Sequence, residues 1–155
     1  MTIDPARFGI DIRLLGDLQR QSQRELGADL RTVIRPASSA VDLEPVSGVE
    51  NLQQALLLRL LTPTGELAAL GHPDYGSRLH ELIGEPNTQT NRNRARLFAL
   101  RALLAEPRIE EVRSLAVTTR RDRPNRIDIE ARLAVLDEDT DLNLVFPFDY
   151  DGGAP

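Results

Sequence analysis

Residues 91–119, NRNRARLFALRALLAEPRIEEVRSLAVTT, contain the sharpest change of pattern in the chain. From Asn91 to Ala105 the apolar residues recur at helical spacing, whereas from Val112 to Thr119 they alternate with polar ones, as in a half-buried strand. Glu106-Pro107-Arg108 lies between the two patterns. Because proline lacks an amide donor and disfavours helical dihedrals in the residue before it, the sequence predicts a helix that stops at Glu106.

The Glu106-Pro107-Arg108 corner holds two opposite charges at a fixed turn, and two interpretations are open. One is an ion pair on the surface of the chain, which contributes only about 0–1 kcal/mol to stability. The other is a docking point, at which the carboxylate and the guanidinium each contact a partner protein. These three residues alone favour the surface pair.

The residues after the corner predict an antiparallel sheet. Ile127 to Val135 alternates like Val112 to Thr119, and the polar stretch Arg120 to Asn125 between them predicts a hairpin turn. A third strand is expected around Leu142, Leu144 and Phe146. The predicted fold is therefore α+β, an antiparallel sheet of hairpin-connected C-terminal strands packed with two to three helices.

Two helices are expected before residue 91. Apolar residues from Val49 onwards follow helical spacing and stop ahead of Pro63. Ser77 is placed to cap a short helix from Arg78 to Ile83, and Thr90 or Asn91 to cap the long one.

The first 45 residues are expected to form an extended N-terminal arm or edge strands. Phe8–Leu15 and Asp29–Arg35 show weak alternation, Asp17–Gly27 is polar and fits a short helix or a loop, and Pro36–Ser39 has linker composition. The expected division is an arm at 1–45, a domain at 46–148 and an acidic flexible tail at 149–155.

The composition of the chain excludes or disfavours several classes of function. The chain has 155 residues, a net charge of −5 and no cysteine, so disulfides, thiol nucleophiles and thiolate metal sites are excluded. A net negative charge argues against a general nucleic-acid binder. Without a long apolar run or a signal peptide, we expect a soluble protein made in the cytoplasm, with no membrane insertion.

Charge is unevenly distributed in the C-terminal half. All 19 basic residues are arginine, and 11 of them lie between Arg92 and Arg132, against 6 acids, whereas residues 137–151 contain 6 acids and no base. Arginine suits interfaces because its planar fork pairs with carboxylates in two contacts. A coding bias towards arginine, together with accidental grouping on a solvated surface, explains the pattern equally well.

Catalytic and metal sites have little support. The two histidines, His72 and His80, are eight residues apart with a turn between them, so we predict no metal ligands, and no cofactor motif is present. A glycosidase would need two carboxylates across a cleft, with Glu81, Glu85 or Glu106 as the acid, and the spacing does not bring such a pair together. We predict no catalytic residue and keep a lysozyme-like peptidoglycan hydrolase, using Glu81 or Glu106, as the alternative function.

An ordered series of short motifs resembles one protein family. The series runs through Val46-Ser47-Gly48, Asn51-Leu52, Gln54-Ala55-Leu56, Arg59-Leu60-Leu61-Thr62-Pro63, Gly65-Glu66-Leu67, Gly71-His72-Pro73-Asp74-Tyr75-Gly76-Ser77-Arg78-Leu79, Glu106-Pro107-Arg108 and Leu144-Val145-Phe146-Pro147-Phe148. It is similar to the GPW-type baseplate wedge, or sheath-initiator, family of contractile phage tails and contractile injection systems, which includes TssE of type VI secretion. The resemblance covers residues 46–148.

The resemblance implies a structural baseplate component, present in six copies around the tube, that links the helical core bundle of the wedge proteins to the first sheath ring and nucleates sheath assembly. Glu106, Pro107 and Arg108 would bind the core bundle. The C-terminal sheet, with Leu144, Val145 and Phe146, would accept strands from sheath subunits by β-augmentation. The machine could be a phage tail, an extracellular injection system or a type VI system, and the protein would be assembled in the cytoplasm into the baseplate of a phage-tail-like particle.

Overall fold

The computed structural model describes residues 8–15 and 30–152, and these residues confirm the predicted α+β fold. Two α-helices and seven strands are present within them. In chain order they are β1 (Ile10–Ile12), β2 (Thr32–Ile34), β3 (Val41–Leu43), β4 (Pro45–Ser47), α1 (Gly48–Leu61), α2 (Gln89–Leu104), β5 (Ile109–Arg120), β6 (Arg123–Val135) and β7 (Leu142–Asp149).

The C-terminal sheet is antiparallel in the order β5-β6-β7, so β6 is central and the other two strands form its edges. The β5–β6 turn is tighter than predicted, because Arg120 and Arg123 are already paired across the hairpin. Alternate residues of β6 and β7 face the core and are buried: Ile127, Ile129, Ala131, Leu133, Leu142, Leu144, Phe146 and Phe148.

Both α-helices contribute to the core with the sheet. The buried residues of α1 are mainly leucines, whereas α2 contributes three alanines with Phe98 and Leu103. Each fully buried leucine stabilises the fold by about 1.5–3 kcal/mol relative to exposure. A core made mostly of aliphatic side chains is expected for a chain with 4% aromatic residues.

The predicted helix caps were partly wrong. Thr88 is the N-cap of α2, because its hydroxyl accepts a hydrogen bond from the Asn91 amide at 3.2 Å, whereas Thr90 and Asn91 lie inside the helix. The helix therefore begins two residues before the predicted start and ends at Leu104. The short helix predicted from Arg78 is a 3-10 helix over Leu79–Leu82.

The N-terminal residues form two short ladders, β1 with β4 and β2 with β3. Residues 36–39, predicted as a linker, form the hairpin turn between β2 and β3, which the Arg35 amide closes by donating to the Ala40 carbonyl at 2.9 Å. The polar stretch at 17–27 lies outside the described residues. Phe8 is buried in the main core, and Asn51 Nδ2 donates to its carbonyl at 2.8 Å.

At the other end, β7 continues to Asp149, one residue beyond the expected domain end, and Tyr150 is buried against Phe148 with ring centroids 5.3 Å apart.

Candidate functional site

Backbone hydrogen bonds fix the Glu106-Pro107-Arg108 corner on both sides. The Glu106 amide donates to the Leu103 carbonyl at 3.2 Å as α2 ends, and the Ile109 amide donates to the Glu106 carbonyl at 3.0 Å around Pro107. The Arg108 carbonyl then accepts from the Leu136 amide at 2.9 Å, just beyond β6. The corner is thus tied to the helix and to the sheet.

Glu106 is buried, with 6% of its surface exposed. One carboxylate oxygen accepts from Arg108 Nε at 2.6 Å and the other from an Arg59 terminal nitrogen at 3.5 Å. The interpretation as an ion pair on the surface is therefore wrong, because the acid lies inside the protein between two guanidinium groups. Leaving a buried carboxylate without such partners would be strongly unfavourable.

The protonation of Glu106 follows from this placement. Burial by itself raises the pKa of the Glu106 carboxyl, but the hydrogen bond and charge of Arg108, with the charge of Arg59, outweigh burial and hold the pKa below its ordinary value. The carboxylate is therefore ionised at neutral pH, and the trio of Glu106, Arg59 and Arg108 carries one net positive charge.

Tyr75 contacts Arg59, whose guanidinium lies over the Tyr75 ring, 4.5 Å from the centroid. The loop that carries Tyr75 is fastened to the end of α1. The Ser77 amide donates to the Thr62 carbonyl at 2.8 Å, and the Ser77 hydroxyl donates to the Leu60 carbonyl at 2.7 Å. Burial raises the pKa of Tyr75, which keeps its phenol neutral.

Gly76 is required for this loop. Its φ of +108° is one that L side chains rarely adopt, and a Cβ there would lie 2.4 Å from the Thr62 carbonyl oxygen. The motif from Gly71 to Arg78 thus places Tyr75 beside Arg59. No sequence pattern indicates a role for Arg59 or Tyr75 beyond their membership of the motif series.

The accessible part of the corner consists of Pro107, which is exposed, and Arg108, whose side chain is 31% exposed. A terminal nitrogen of Arg108 is also 3.4 Å from the Phe8 carbonyl oxygen. The corner can therefore offer an apolar ring and a positively charged group in a fixed orientation.

The other three predicted partner-binding residues lie in β7, separate from the corner in the fold. Leu144 and Phe146 face the core and are buried, and Val145 is half-buried on the opposite face. Because the Tyr150 amide donates to the Asn125 carbonyl within the sheet, the backbone groups of alternate residues, including Asn143, Val145 and Pro147, point to the free edge. Gln53 Nε2 of α1 donates to the Asn143 carbonyl at 3.3 Å there.

A groove of about 270 Å³ lies between α2 and the other edge strand, β5. Arg92 and Arg96 contribute to it, and no carboxylate lines it; the remaining lining residues are Gln89, Asn93, Leu115, Ala116 and Val117. The groove cannot supply the acid of a glycosidase from its own walls.

The residues considered for catalysis have structural partners. Glu81 accepts two hydrogen bonds from Arg78, at 2.5 and 2.9 Å, and this interaction lowers the pKa of its carboxyl. A general acid needs the opposite shift. His80 Nδ1 lies 3.2 Å from the Ser77 carbonyl oxygen. Within residues 8–15 and 30–152, no group of three or more potential metal-ligating side chains occurs.

Neither α-helix in the described part of the chain has the length and apolar content needed to cross a membrane.

Comparisons with known proteins agree with the series of motifs. The family model described as baseplate wedge protein gp25 matches residues 46–139. A crystal structure of a Geobacter sulfurreducens protein, provisionally named a tail lysozyme, superimposes with a TM-score of 0.58 at 27% identity, covering 68% of this chain and 94% of that one. A search of curated proteins finds no match.

Proposed function

Because the chain belongs to the gp25 baseplate wedge protein family, which has a structural role in the baseplate of phage tails, we propose that it joins the wedge proteins to the first sheath ring of a contractile machine and nucleates sheath assembly. In this proposal six copies of the protein surround the tube and together connect the wedge proteins to the sheath ring. The observation that carries the proposal is the corner itself, where buried Glu106, which also contacts Arg59, holds a partly exposed Arg108 beside an exposed Pro107.

In this proposal Glu106 and Arg108 have different roles. Glu106 is engaged within the chain, so it positions the Arg108 side chain, whereas Arg108 has accessible surface for a carboxylate of the wedge core bundle. Because the cluster carries a net positive charge, an acidic partner would be favoured over a basic one. A hydrogen bond from the Arg108 guanidinium to such a carboxylate would be charge-assisted and therefore stronger than one between neutral groups.

The corner is tested by Arg108→Ala, with Arg101→Ala as the matched control, since Arg101 is an exposed arginine of α2. We expect Arg108→Ala to abolish incorporation into baseplates and Arg101→Ala to leave it unchanged, as measured by the amount of the protein in purified particles. Sheath-bearing particles at normal yield from Arg108→Ala would contradict the docking role.

The Arg108→Ala change also removes a partner of a buried acid, so its folding must be checked separately. The double variant Glu106→Gln/Arg108→Ala removes the negative charge together with the guanidinium, and circular dichroism and thermal melting would establish that it is folded. A folded double variant that still enters baseplates normally would contradict the proposal as well.

The contact with the sheath is proposed to use the free edge of β7. The buried side chains of Leu144 and Phe146 hold the strand in the sheet, and the outward amide and carbonyl of Val145 would pair with a sheath strand. Pro147, the next outward-pointing residue, shows that β7 accommodates proline. Val145→Pro should therefore block sheath nucleation while baseplate incorporation continues, and Val145→Ala, which keeps the amide, should nucleate normally.

The name of the Geobacter sulfurreducens protein makes a peptidoglycan hydrolase the second candidate. The lowered pKa values of Glu81 and Glu106 disfavour it, because neither carboxyl would hold a proton at neutral pH. Release of sugar fragments from peptidoglycan by the purified protein, lost in Glu81→Gln or Glu106→Gln, would establish the hydrolase, and no release would remove it.

A further inference from the structure

The described part of the N-terminal arm forms one two-stranded ribbon. β1 and β2 lie end to end along the same side of residues 41–47. Glu44, between β3 and β4, forms backbone hydrogen bonds with the residue that follows β1 and with the residue that precedes β2. Its carbonyl accepts from the Arg13 amide at 2.9 Å, and its amide donates to the Arg31 carbonyl at 2.9 Å. Exposure alternates from residue 41 to residue 47, as expected for a continuous strand with two faces.

One face of this ribbon is apolar and exposed. The registers Ile12 with Pro45 and Ile34 with Val41 place these residues on the same face, together with Ile10 and Leu43. We call this set of six residues the apolar arm face. Ile34 and Val41 are 68% and 69% exposed. The same registers place Thr32 and Ser47 on this side, so it holds two uncharged polar residues and no charged side chain. The ion pairs Arg13–Glu44 and Arg35–Asp42 involve residues of the opposite face.

The edges of the ribbon are poorly suited to an additional strand. Because the Glu44 amide and carbonyl point towards β1 and β2, the amides of residues 43 and 45 point to the outer edge. The Leu43 amide already donates a hydrogen bond to the Asp42 carboxylate at 2.8 Å, and Pro45 has no amide hydrogen to donate. On the other edge, the Ile12 amide donates a hydrogen bond to the Asp11 carboxylate at 2.7 Å. A partner is therefore expected on the face and not at an edge.

The size of the apolar arm face indicates the kind of partner. Seven strand residues span about 23 Å, and two strands with their side chains are about 10 Å wide. A contact of about 230 Å² per partner is well below the roughly 800 Å² per partner of a stable protein–protein interface. A second copy bound through this face alone would not form a stable dimer. An α-helix about 10 Å in diameter and 15 residues long matches both dimensions.

The arm's own sequence does not supply such a helix. The stretch Asp17–Gly27 contains only two large apolar residues, Leu18 and Leu26. The ribbon also precedes almost all of the matched family region, residues 46–139, so it is largely an addition to the family domain.

We propose that the apolar arm face binds an amphipathic helix of another baseplate protein, with apolar residues at positions i, i+3, i+4 and i+7. The inference rests on the proposed structural role and adds a second docking surface, separate from the Glu106-Pro107-Arg108 corner. The contact contributes through simultaneous binding with the corner, because a small interface becomes effective when another contact already holds the two proteins together.

Cross-linking within assembled particles tests the identity of the occupant. A photo-reactive phenylalanine replaces Val41 in the full chain, and the control replaces Leu70, which is 74% exposed and lies outside the arm. Position 41 should cross-link to a different baseplate protein, in a segment with helical apolar spacing, and position 70 should not. Cross-links within the same chain, to a second copy or to an extended segment, or none at all, would overturn the proposal.

The variant Ile34→Lys/Val41→Glu, which places opposite charges on two directly paired positions, tests the contribution to assembly, with Leu70→Glu as the control. Both sites are exposed, so folding should be unaffected, and we expect at least a tenfold loss of incorporation for the double variant only. If the wild type is present in particles and the double variant enters them equally well, only the arm proposal fails. Absence of the wild-type protein from particles would overturn the proposed function and this inference together.

Discussion

At the scale of single residues, Glu106 shows how burial changes the role of a charged side chain. The sequence places it at an exposed type of position, after a helix and before proline. The structure surrounds it with Arg59, Arg108 and the Tyr75 loop, which lie 47, 2 and 31 residues away in sequence. Only the contact with Arg108 could have been expected from local spacing, so the burial was not predictable.

Glu106→Gln should destabilise the fold by about 2 kcal/mol at pH 7, because it removes charged hydrogen bonds with Arg108 and Arg59. The pKa of Glu106 is lowered in the folded chain, so its stabilising effect is complete above the unfolded pKa of about 4.3 and is lost as the pH falls through the folded value. Urea unfolding of wild type and variant should therefore differ at pH 7, and the difference should shrink as the pH falls below about 4.3. Glu66→Gln, at an exposed acid, should change the stability at pH 7 by less than about 0.5 kcal/mol.

Gly76 and Gly71 lie in the same loop and differ in one physical respect. Both have positive φ, +108° and +87°, but a Cβ at Gly76 would clash with the Thr62 carbonyl oxygen, whereas a Cβ at Gly71 would have no atom within 4 Å. The sequence shows both glycines equally, and only the packing distinguishes them.

Gly76→Ala should cost about 3 kcal/mol or more, since strain from positive φ is added to a backbone clash, and Gly71→Ala about 1–2 kcal/mol from φ alone. Chemical denaturation would give both values. Equal losses would show that the loop does not require the close approach to Thr62.

At the scale of elements, the C-terminal strands were predictable because each has one buried face, which alternation in sequence reports directly. Helix α2 was recognisable for the same reason, but its start was not, because Thr88, Thr90 and Asn91 are all suitable N-cap residues. The choice of Thr88 depends on Asn91, which is buried and donates through Nδ2 to the Pro86 carbonyl at 2.9 Å.

Thr88→Ala should lower stability by about 1 kcal/mol through loss of the cap, and Thr90→Ala should change it by less than about 0.5 kcal/mol. Thermal unfolding of the two variants measures the difference. A larger effect at Thr90 would place the functional cap there instead.

At the scale of the whole molecule, the core includes a residue that no local pattern could assign. Phe8 lies in the predicted arm, outside the matched family region, yet it is buried with residues of both helices and the sheet. Alternation from Phe8 to Leu15 predicted a strand, and it is realised only over Ile10–Ile12. Which of the alternating residues would be buried depends on the fold of residues more than 40 positions away.

Phe8→Ala should destabilise the protein by about 3 kcal/mol, as expected for a buried phenylalanine, whereas Ile10→Ala, at a residue 71% exposed, should have an effect below about 0.5 kcal/mol. Denaturant unfolding of the full chain tests both. Similar, small effects at both positions would show that the arm does not contribute to the core.

The hydrogen bond from Arg108 to the Phe8 carbonyl has a thermodynamic consequence. Phe8 precedes Ile10 of the apolar arm face by two residues, and Arg108 belongs to the corner, so this bond connects the two surfaces. If binding at the corner changes the affinity of the arm for its partner through this bond, binding at the arm must change the affinity of the corner by the same factor, since coupling between two binding equilibria is reciprocal. Loading of one partner would then raise or lower the affinity for the other by the same factor whichever partner arrives first, without any change in the fold.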